Sequence, residues 1–407
     1  MSDNKLSAIS ATLLIITSML GYGIICAPNA TAQVGYLNAL VLIAGVSFIT
    51  FSSISLIFKS CDKLKQTHGK TNISYFELLS SIHPIAGNLA NLLVFFIGFT
   101  SNIAYILALG EWGCNIVGLT ERKNVFLVSA SFSIIQFFLS FIRDLKFLQK
   151  ASYLSLFSCL LVAMTIVIYL IKLRPVVEVK SVDTKIENCL GKFIFAMCCQ
   201  SMIPVVYSSL RSNVKLTNVA LMVSIGGGLM VVFFGIGGYF LCGNEMQSSQ
   251  KNDILGYMGE KGTIFRQALE TSFDKKGMLI KICQVFFVLL LNCSYIFQMF
   301  PARAALISLI KIKFSNKTSK SDFLLTTIVS FFYIALACCL SSYKAANKVV
   351  SYSGTYLINV IAFIFPSISY FSIVGMKTST IYNFMAIINI LVGISLMVIM
   401  TILDLKK

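Results

Sequence analysis

Charge-free apolar blocks of about twenty residues recur along the whole chain, separated by polar segments. A helix of that length reaches across the hydrocarbon core of a bilayer. Only 12% of the residues are charged, where a soluble domain has about a quarter. Eleven segments qualify as spans: 6–35, 37–58, 89–110, 124–142, 151–171, 193–210, 216–242, 282–300, 323–342, 349–375 and 382–403. None of these contains Asp, Glu, Lys, Arg or His at its core. The expected fold class is an all-α polytopic membrane protein with about eleven transmembrane helices.

The missing charges exclude several functions. An intramembrane enzyme needs an acid, a base or a metal ligand at membrane depth, and a proton pump needs a buried carboxylate relay. Both histidines, His68 and His83, fall in one loop. What remains polar in the spans is Ser, Thr, Asn, Gln, Tyr and backbone. The net charge of +17 comes from lysines and arginines in loops between apolar blocks. Such cations suit a membrane surface, and no basic aromatic face is present to follow a nucleic acid. The 12 cysteines lack CxxC spacing and lie mostly in apolar runs, where cysteine acts as a small hydrophobe. The first run lacks a basic leader and a cleavage site, so it reads as a retained span. Loop cations divide almost evenly between the two sides, which leaves orientation open on charge alone. The longest loops, 172–192 and 243–281, are polar and read as surface caps. Trp112 and its neighbouring tyrosines fit an interfacial aromatic belt, and Arg303 reads as an anchor just beyond the eighth span.

Two spans carry their own interruption. MLGYGIICAPNA, residues 19–30, places Gly21, Gly23 and Pro28 inside the first. AMCCQSMIPVVYSSLR, residues 196–211, places Pro204 in the sixth. These two segments head the two halves of a chain that divides into five spans, five spans and one more. Paired interruptions in corresponding positions point to a transporter site, because unpaired backbone is tolerated in lipid only around a cavity or ligand. A half-helix starting near Gly23 would aim free N–H groups at the midplane, which suits a carboxylate. An unwound sixth span offers carbonyls, which suit an ammonium or a small cation. The competing reading of each glycine is close helix packing.

Six stretches, in order, carry a resemblance. MLGYGIICAPNA resembles the first-helix motif of the amino acid/auxin permease family, a GSGIL stretch followed by proline. IAYILALGE (103–111), RDLKFLQKASYLSL (143–156), FIFAMCCQSMIPVVYSSLR (193–211), GYFLCGNEMQSSQKNDIL (238–255) and CSYIFQMFPAR (293–303) resemble later patterns of the same family. The vacuolar and sodium-coupled neutral amino acid transporter branches are the most similar. The resemblance implies a leucine-transporter-like inverted five-plus-five repeat, 1–175 and 188–375, with an extra helix in 376–407. It also implies a cytosolic N-terminus and a free amino acid as substrate. Two positions depart from the pattern. Thr17 stands where the sodium-coupled branch has asparagine, and Cys199 or Gln200 stands where a histidine is frequent in the sixth helix.

The expected function is secondary active transport of free, neutral amino acids by alternating access. The alternatives are a non-transporting amino acid sensor on the same fold, or a facilitative exchanger of another small metabolite. A sensor would carry a long cytosolic tail, and about five residues precede the first span. Substrate-binding candidates are Gly21, Tyr22, Gly23, Ile24, Tyr105, Ala196, Met197, Cys198 and Ser294. Ion-coupling candidates are Thr17, Ser294 and Glu111. No catalytic residue, resident metal or cofactor is expected, and the coupling ion is sodium or a proton. The expected partners are the amino acid and the lipid bilayer, with no nucleic acid, and the protein is expected to be a monomer. The expected location is the plasma membrane or a vacuolar or lysosome-like membrane.

Overall fold

The computed structural model describes residues 5–69, 73–119, 122–142, 145–173, 177–183, 189–248, 253–259, 263–270, 274, 277–311, 327, 328, 330, 332 and 343–405. Among them, 8 helices are long and apolar enough to cross a membrane. A further crossing is made by a bent pair, α1 (Ala8–Met19) and α2 (Tyr22–Val34), whose axes differ by 60°. In chain order there follow α3 (Tyr36–His68), α4 (Tyr75–Ser80), α5 (Pro84–Val117), α6 (Arg122–Leu139) and α7 (Leu145–Leu173). Next come α8 (Leu190–Ala196), α9 (Ile203–Ser208), α10 (Leu216–Val232) and α11 (Gly238–Cys242). The short helices α12 (Glu245–Ser248), α13 (Ile254–Gly259) and α14 (Ile264–Glu270) build up the long loop. The chain continues with α15 (Met278–Lys311), α16 (Tyr343–Tyr352), α17 (Phe365–Ile373) and α18 (Thr380–Leu405).

The helices begin and end where the residues dictate. Ser7 caps α1 by accepting from Ser10 N–H at 3.2 Å. Gly35 sits at φ 81°, a conformation open to glycine, and turns α2 directly into α3. Helix α3 has 33 residues, so it runs about 50 Å and outreaches the hydrocarbon core. Its last turn carries Lys65 and His68, which complement the dipole, and Gly69 closes it in the left-handed conformation. Ser74 and Glu77 form a reciprocal capping box on α4. Pro84 opens α5 at its first turn, where a missing N–H costs nothing.

Three crossings contain irregular turns. Helices α10 and α11 are joined by a π-helical turn, Phe233–Gly237. Two more, Ser353–Ile358 and Val360–Ile364, lie between α16 and α17. Helices α8 and α9 are separated by residues 197–202. Long helices frame these irregular ones: α15 packs along α5 and α7, while α3 packs along α10.

The structure refines the expected spans. The fourth appears as α6, whose apolar part Asn124–Leu139 is shorter than its neighbours. The ninth, 323–342, falls almost wholly outside the described residues. Two spans extend past their expected ends and take in a buried cation each. Lys192 lies inside α8 and is 1% exposed, and Arg303 lies inside α15 and is 8% exposed. Arg303 is therefore no surface anchor. Its Nη1 donates to Ser140 O at 2.6 Å and its Nη2 to Ile142 O at 3.3 Å, just past the end of α6. Trp112 is likewise no belt residue. It is fully buried, and its Nε1 donates to Asp253 Oδ1 at 3.2 Å.

Candidate functional site

The first interruption is sharper and earlier than the sequence suggests. Helix α1 stops at Met19, and Leu20 N–H folds back on Ile16 O and Thr17 O. Gly21 is extended, and α2 restarts at Tyr22. Gly23 and Pro28 lie within α2 and do not break it. The sixth-span interruption also precedes its proline. Helix α8 ends at Ala196, residues 197–199 are non-helical, and Pro204 sits in the first turn of α9. A proline there starts a helix rather than ending one.

The two interruptions meet. A β-carbon on Gly23 would lie 2.8 Å from Ala196 Cα, so the α2 backbone rests directly on the end of α8. A β-carbon on Gly21 would lie 2.5 Å from Tyr105 Oη, which places that hydroxyl of α5 over the break. Gly23 is thus a close-packing glycine in the first turn of α2, beside the break. No residue from Leu20 to Ile24 or from Ala196 to Cys199 is exposed.

The open backbone groups define what this site can hold. Among the described residues, Gly21 N–H has no acceptor, and the carbonyls of Met197 and Cys198 have no backbone donor. Cys199 N–H, by contrast, donates to Gln200 Oε1 at 3.0 Å. At the end of α1, Ser294 Oγ of α15 donates to Leu20 O, and Gln298 Nε2 donates to Ser18 O at 3.3 Å. Buried backbone groups are nearly always paired, so a concentration of unpaired ones marks a place for a ligand. N–H groups at a helix start favour an anion, and carbonyls favour a cation.

The remaining sequence-derived candidates fall at different distances from the breaks. Tyr22 is fully buried beside Cys26, one turn along α2. Ile24 is 1% exposed, and its N–H bonds Gly21 O at 3.2 Å. Met197 receives Ser47 Oγ of α3 on its sulfur at 3.5 Å. Thr17 Oγ1 donates to Leu13 O at 2.7 Å and approaches Ser152 O of α7 at 3.5 Å. Thr17 and Ser294 therefore bond to different groups. Glu111 is six residues beyond Tyr105 on α5, about 9 Å further along the axis.

Two ties close the ends of the interrupted pair. At one end Leu6 and Leu210 form an isolated bridge, with Leu6 N–H on Ser209 O at 2.8 Å and Arg211 N–H on Leu6 O at 3.1 Å. At the other, Lys192 Nζ of α8 donates to Asn29 Oδ1 of α2 at 2.6 Å. Asn29 Nδ2 in turn donates to Met246 O of the long loop at 2.7 Å. Gln247 Nε2 of the same loop donates to Ala32 O. The sequence reading starts the sixth span at Phe193 and so leaves Lys192 in a loop. The run CLGKFIFA, with lysine one turn inside its start, is the signal that identifies it.

A bundle of membrane-crossing helices built around two interrupted segments that meet at their breaks is an arrangement in which transporters hold their substrates. Residues 4–403 match the family described as transmembrane amino acid transporter protein, and the chain belongs to that family. Its members are transporters rather than enzymes. The chain is 26% identical over 276 residues to the putative sodium-coupled neutral amino acid transporter 11 of Danio rerio, covering 62% of this chain and 60% of that protein. It is 23% identical over 287 residues to vacuolar amino acid transporter 2 of Saccharomyces cerevisiae, covering 63% of this chain and 56% of that protein. The matched stretches thus span less than two thirds of either relative.

Proposed function

We propose that this chain is a secondary active transporter of free, neutral amino acids that works by alternating access. The observation that carries the reading is the meeting of an open N–H group at Gly21 with open carbonyls at Met197 and Cys198, at one buried place where Gly23 rests on Ala196. A free amino acid presents the complement, a carboxylate beside an ammonium. The side chains around the breaks, Ile24 and Phe195 among them, are apolar and favour an uncharged side chain. Lys192 does not alter that preference, because it is committed to Asn29 one turn away from Ala196.

The eight long helices, the bent pair, the shorter α6 helix and the apolar run 323–342 would make eleven spans in a five-plus-five-plus-one order. In that arrangement the two interrupted crossings rock against the α5–α15 scaffold. Sodium is the coupling ion that best suits the C-terminal end of α1, where Leu20 O and Ser294 Oγ offer neutral oxygens. Both relatives' names describe amino acid transport, one of them sodium-coupled. The N-terminus is proposed to be cytosolic, and the residence to be the plasma membrane or a vacuolar membrane.

Uptake of a labelled amino acid panel into proteoliposomes tests this reading, with a sodium gradient, a proton gradient or neither. Neutral amino acids are expected to accumulate under the sodium gradient. No uptake under any condition would refute transport and favour a sensor. Uptake indifferent to both gradients would leave facilitated exchange.

A further inference from the structure

The seam between α3 and α10 holds two adjoining cavities of opposite character. The first is an apolar groove of about 410 Å³ whose walls include Leu40, Ile43, Phe51, Leu221 and Leu229. The second is a polar pocket of about 360 Å³ that includes Lys59, Asp62 and Lys215. The helices run antiparallel here, since Leu40 pairs with the Val232 end of α10 and Asp62 with its Lys215 end. Ser55 of the pocket is one turn from Phe51 of the groove, and Thr217 is one turn from Leu221. The two cavities therefore follow one another along the seam as the apolar and polar halves of a slot. The groove side runs from Leu40 to Phe51, about 17 Å of helix, roughly the depth of one leaflet.

We propose that this slot binds an anionic phospholipid, with an acyl chain in the groove and the phosphate between Lys59 and Lys215. Both lysines are exposed, and Lys59 Nζ lies 5.3 Å from the Tyr382 ring centre. The acidic member of the pocket is already engaged. Asp62 Oδ1 accepts from Tyr207 Oη at 3.1 Å, and Oδ2 accepts from Gln66 Nε2 at 3.0 Å. Helix α10 starts here, and Lys215 at its cap offers no side-chain bond to the first-turn N–H groups. Asn218 and Val219 N–H close on Lys215 O, which leaves the Leu216 and Thr217 N–H groups and the positive dipole end at the pocket. Two buried hydroxyls also lack a partner, Ser55 Oγ in the pocket wall and Ser224 Oγ in the groove wall. Ser55 is 4% exposed and Ser224 is 3% exposed.

Native mass spectrometry of the purified full chain, titrated with dioleoyl phosphatidylglycerol or dioleoyl phosphatidylcholine, tests the assignment. The anionic lipid is expected to bind about thirty-fold tighter, each lysine contributing about five-fold. K59Q/K215Q should erase that preference while leaving phosphatidylcholine binding unchanged. L221W, at an exposed position of the groove wall, should weaken both lipids together. Equal affinities for the two lipids in the unmodified protein would overturn the proposal. So would a preference that survives K59Q/K215Q, or displacement of the lipid by inorganic phosphate alone.

Discussion

Asn29 is the sole hydrogen-bond acceptor that the described residues offer Lys192, and this makes the pair strongly asymmetric under mutation. An ammonium has three donors, and here one is used, at 2.6 Å, in a site where Lys192 is 1% exposed. Replacing Asn29 with leucine keeps the volume and removes that acceptor. An uncompensated buried charge costs about 3–5 kcal/mol. Replacing Lys192 with methionine removes the charge along with its need for a partner, and Asn29 Oδ1 still accepts from Gln33 Nε2 at 3.0 Å. That substitution is expected to be neutral or stabilising, by up to about 1–4 kcal/mol. The double variant should regain most of the loss and retain about 1–3 kcal/mol, the cost of leaving Met246 O without its donor. Equilibrium unfolding in mixed SDS micelles, run as a double-mutant cycle, reads all three. If the double variant were as unstable as Asn29→Leu alone, Lys192 would not be a buried charge held by Asn29.

Gly23→Val should abolish uptake while surface expression persists, because its side chain would press on the Ala196 backbone rather than on a movable group; the check is transport per surface-labelled molecule. Tyr105→Phe removes the hydroxyl over Gly21 and should raise KM for the substrate three- to tenfold at similar kcat, the worth of one hydrogen bond. Ser294→Ala should shift the sodium dependence of uptake to higher concentration, measured by sodium titration, and leave the folded fraction unchanged. Arg303→Gln removes charge-assisted bonds to Ser140 O and Ile142 O and should lower stability by about 2–4 kcal/mol in the same micelle assay.

Membrane residence was legible because the bilayer imposes a length and a composition that few other environments do. The interruptions were legible as existing but not as placed. Glycine and proline announce irregularity, yet proline is tolerated in a helix's first turn, so Pro204 marks where α9 begins and not where α8 ends. Pro28 shows the same limit from inside α2, where it leaves the helix intact. Tyr105 stood out by resemblance, but its seat over Gly21 depends on how α5 packs, which periodicity does not fix. Lys192 and Arg303 were hidden for a different reason. A span is delimited by its first charge, and that rule fails when a partner lies on another element, Asn29 for one and the carbonyls past α6 for the other.

Those partners bear on how the proposed cycle could run. The breaks are sealed at one end by backbone bonds between Leu6, Ser209 and Arg211, and at the other by Lys192, Asn29 and Met246. Opening the first end gives up two neutral backbone bonds, each worth about 0.5–1.5 kcal/mol net, and the exposed bond from Arg211 Nε to Lys5 O at 3.1 Å. Opening the second gives up a bond to a charge, worth about 1.5–3 kcal/mol, and two neutral ones besides, to Met246 O and Ala32 O. Yet water admitted at that end would resolvate the ammonium and return part of the cost. The two ends are therefore near enough in energy that a ligand at the breaks can decide between them. Its leverage is limited to its differential affinity for the two open forms. K192M removes both the bond and the resolvation gain, so it should bias the resting protein toward whichever end the remaining bonds hold less tightly. Cysteine accessibility on the two faces of α2, compared with and without K192M, reads that bias directly. Unchanged accessibility would mean that the Lys192–Asn29 tie does not gate that end.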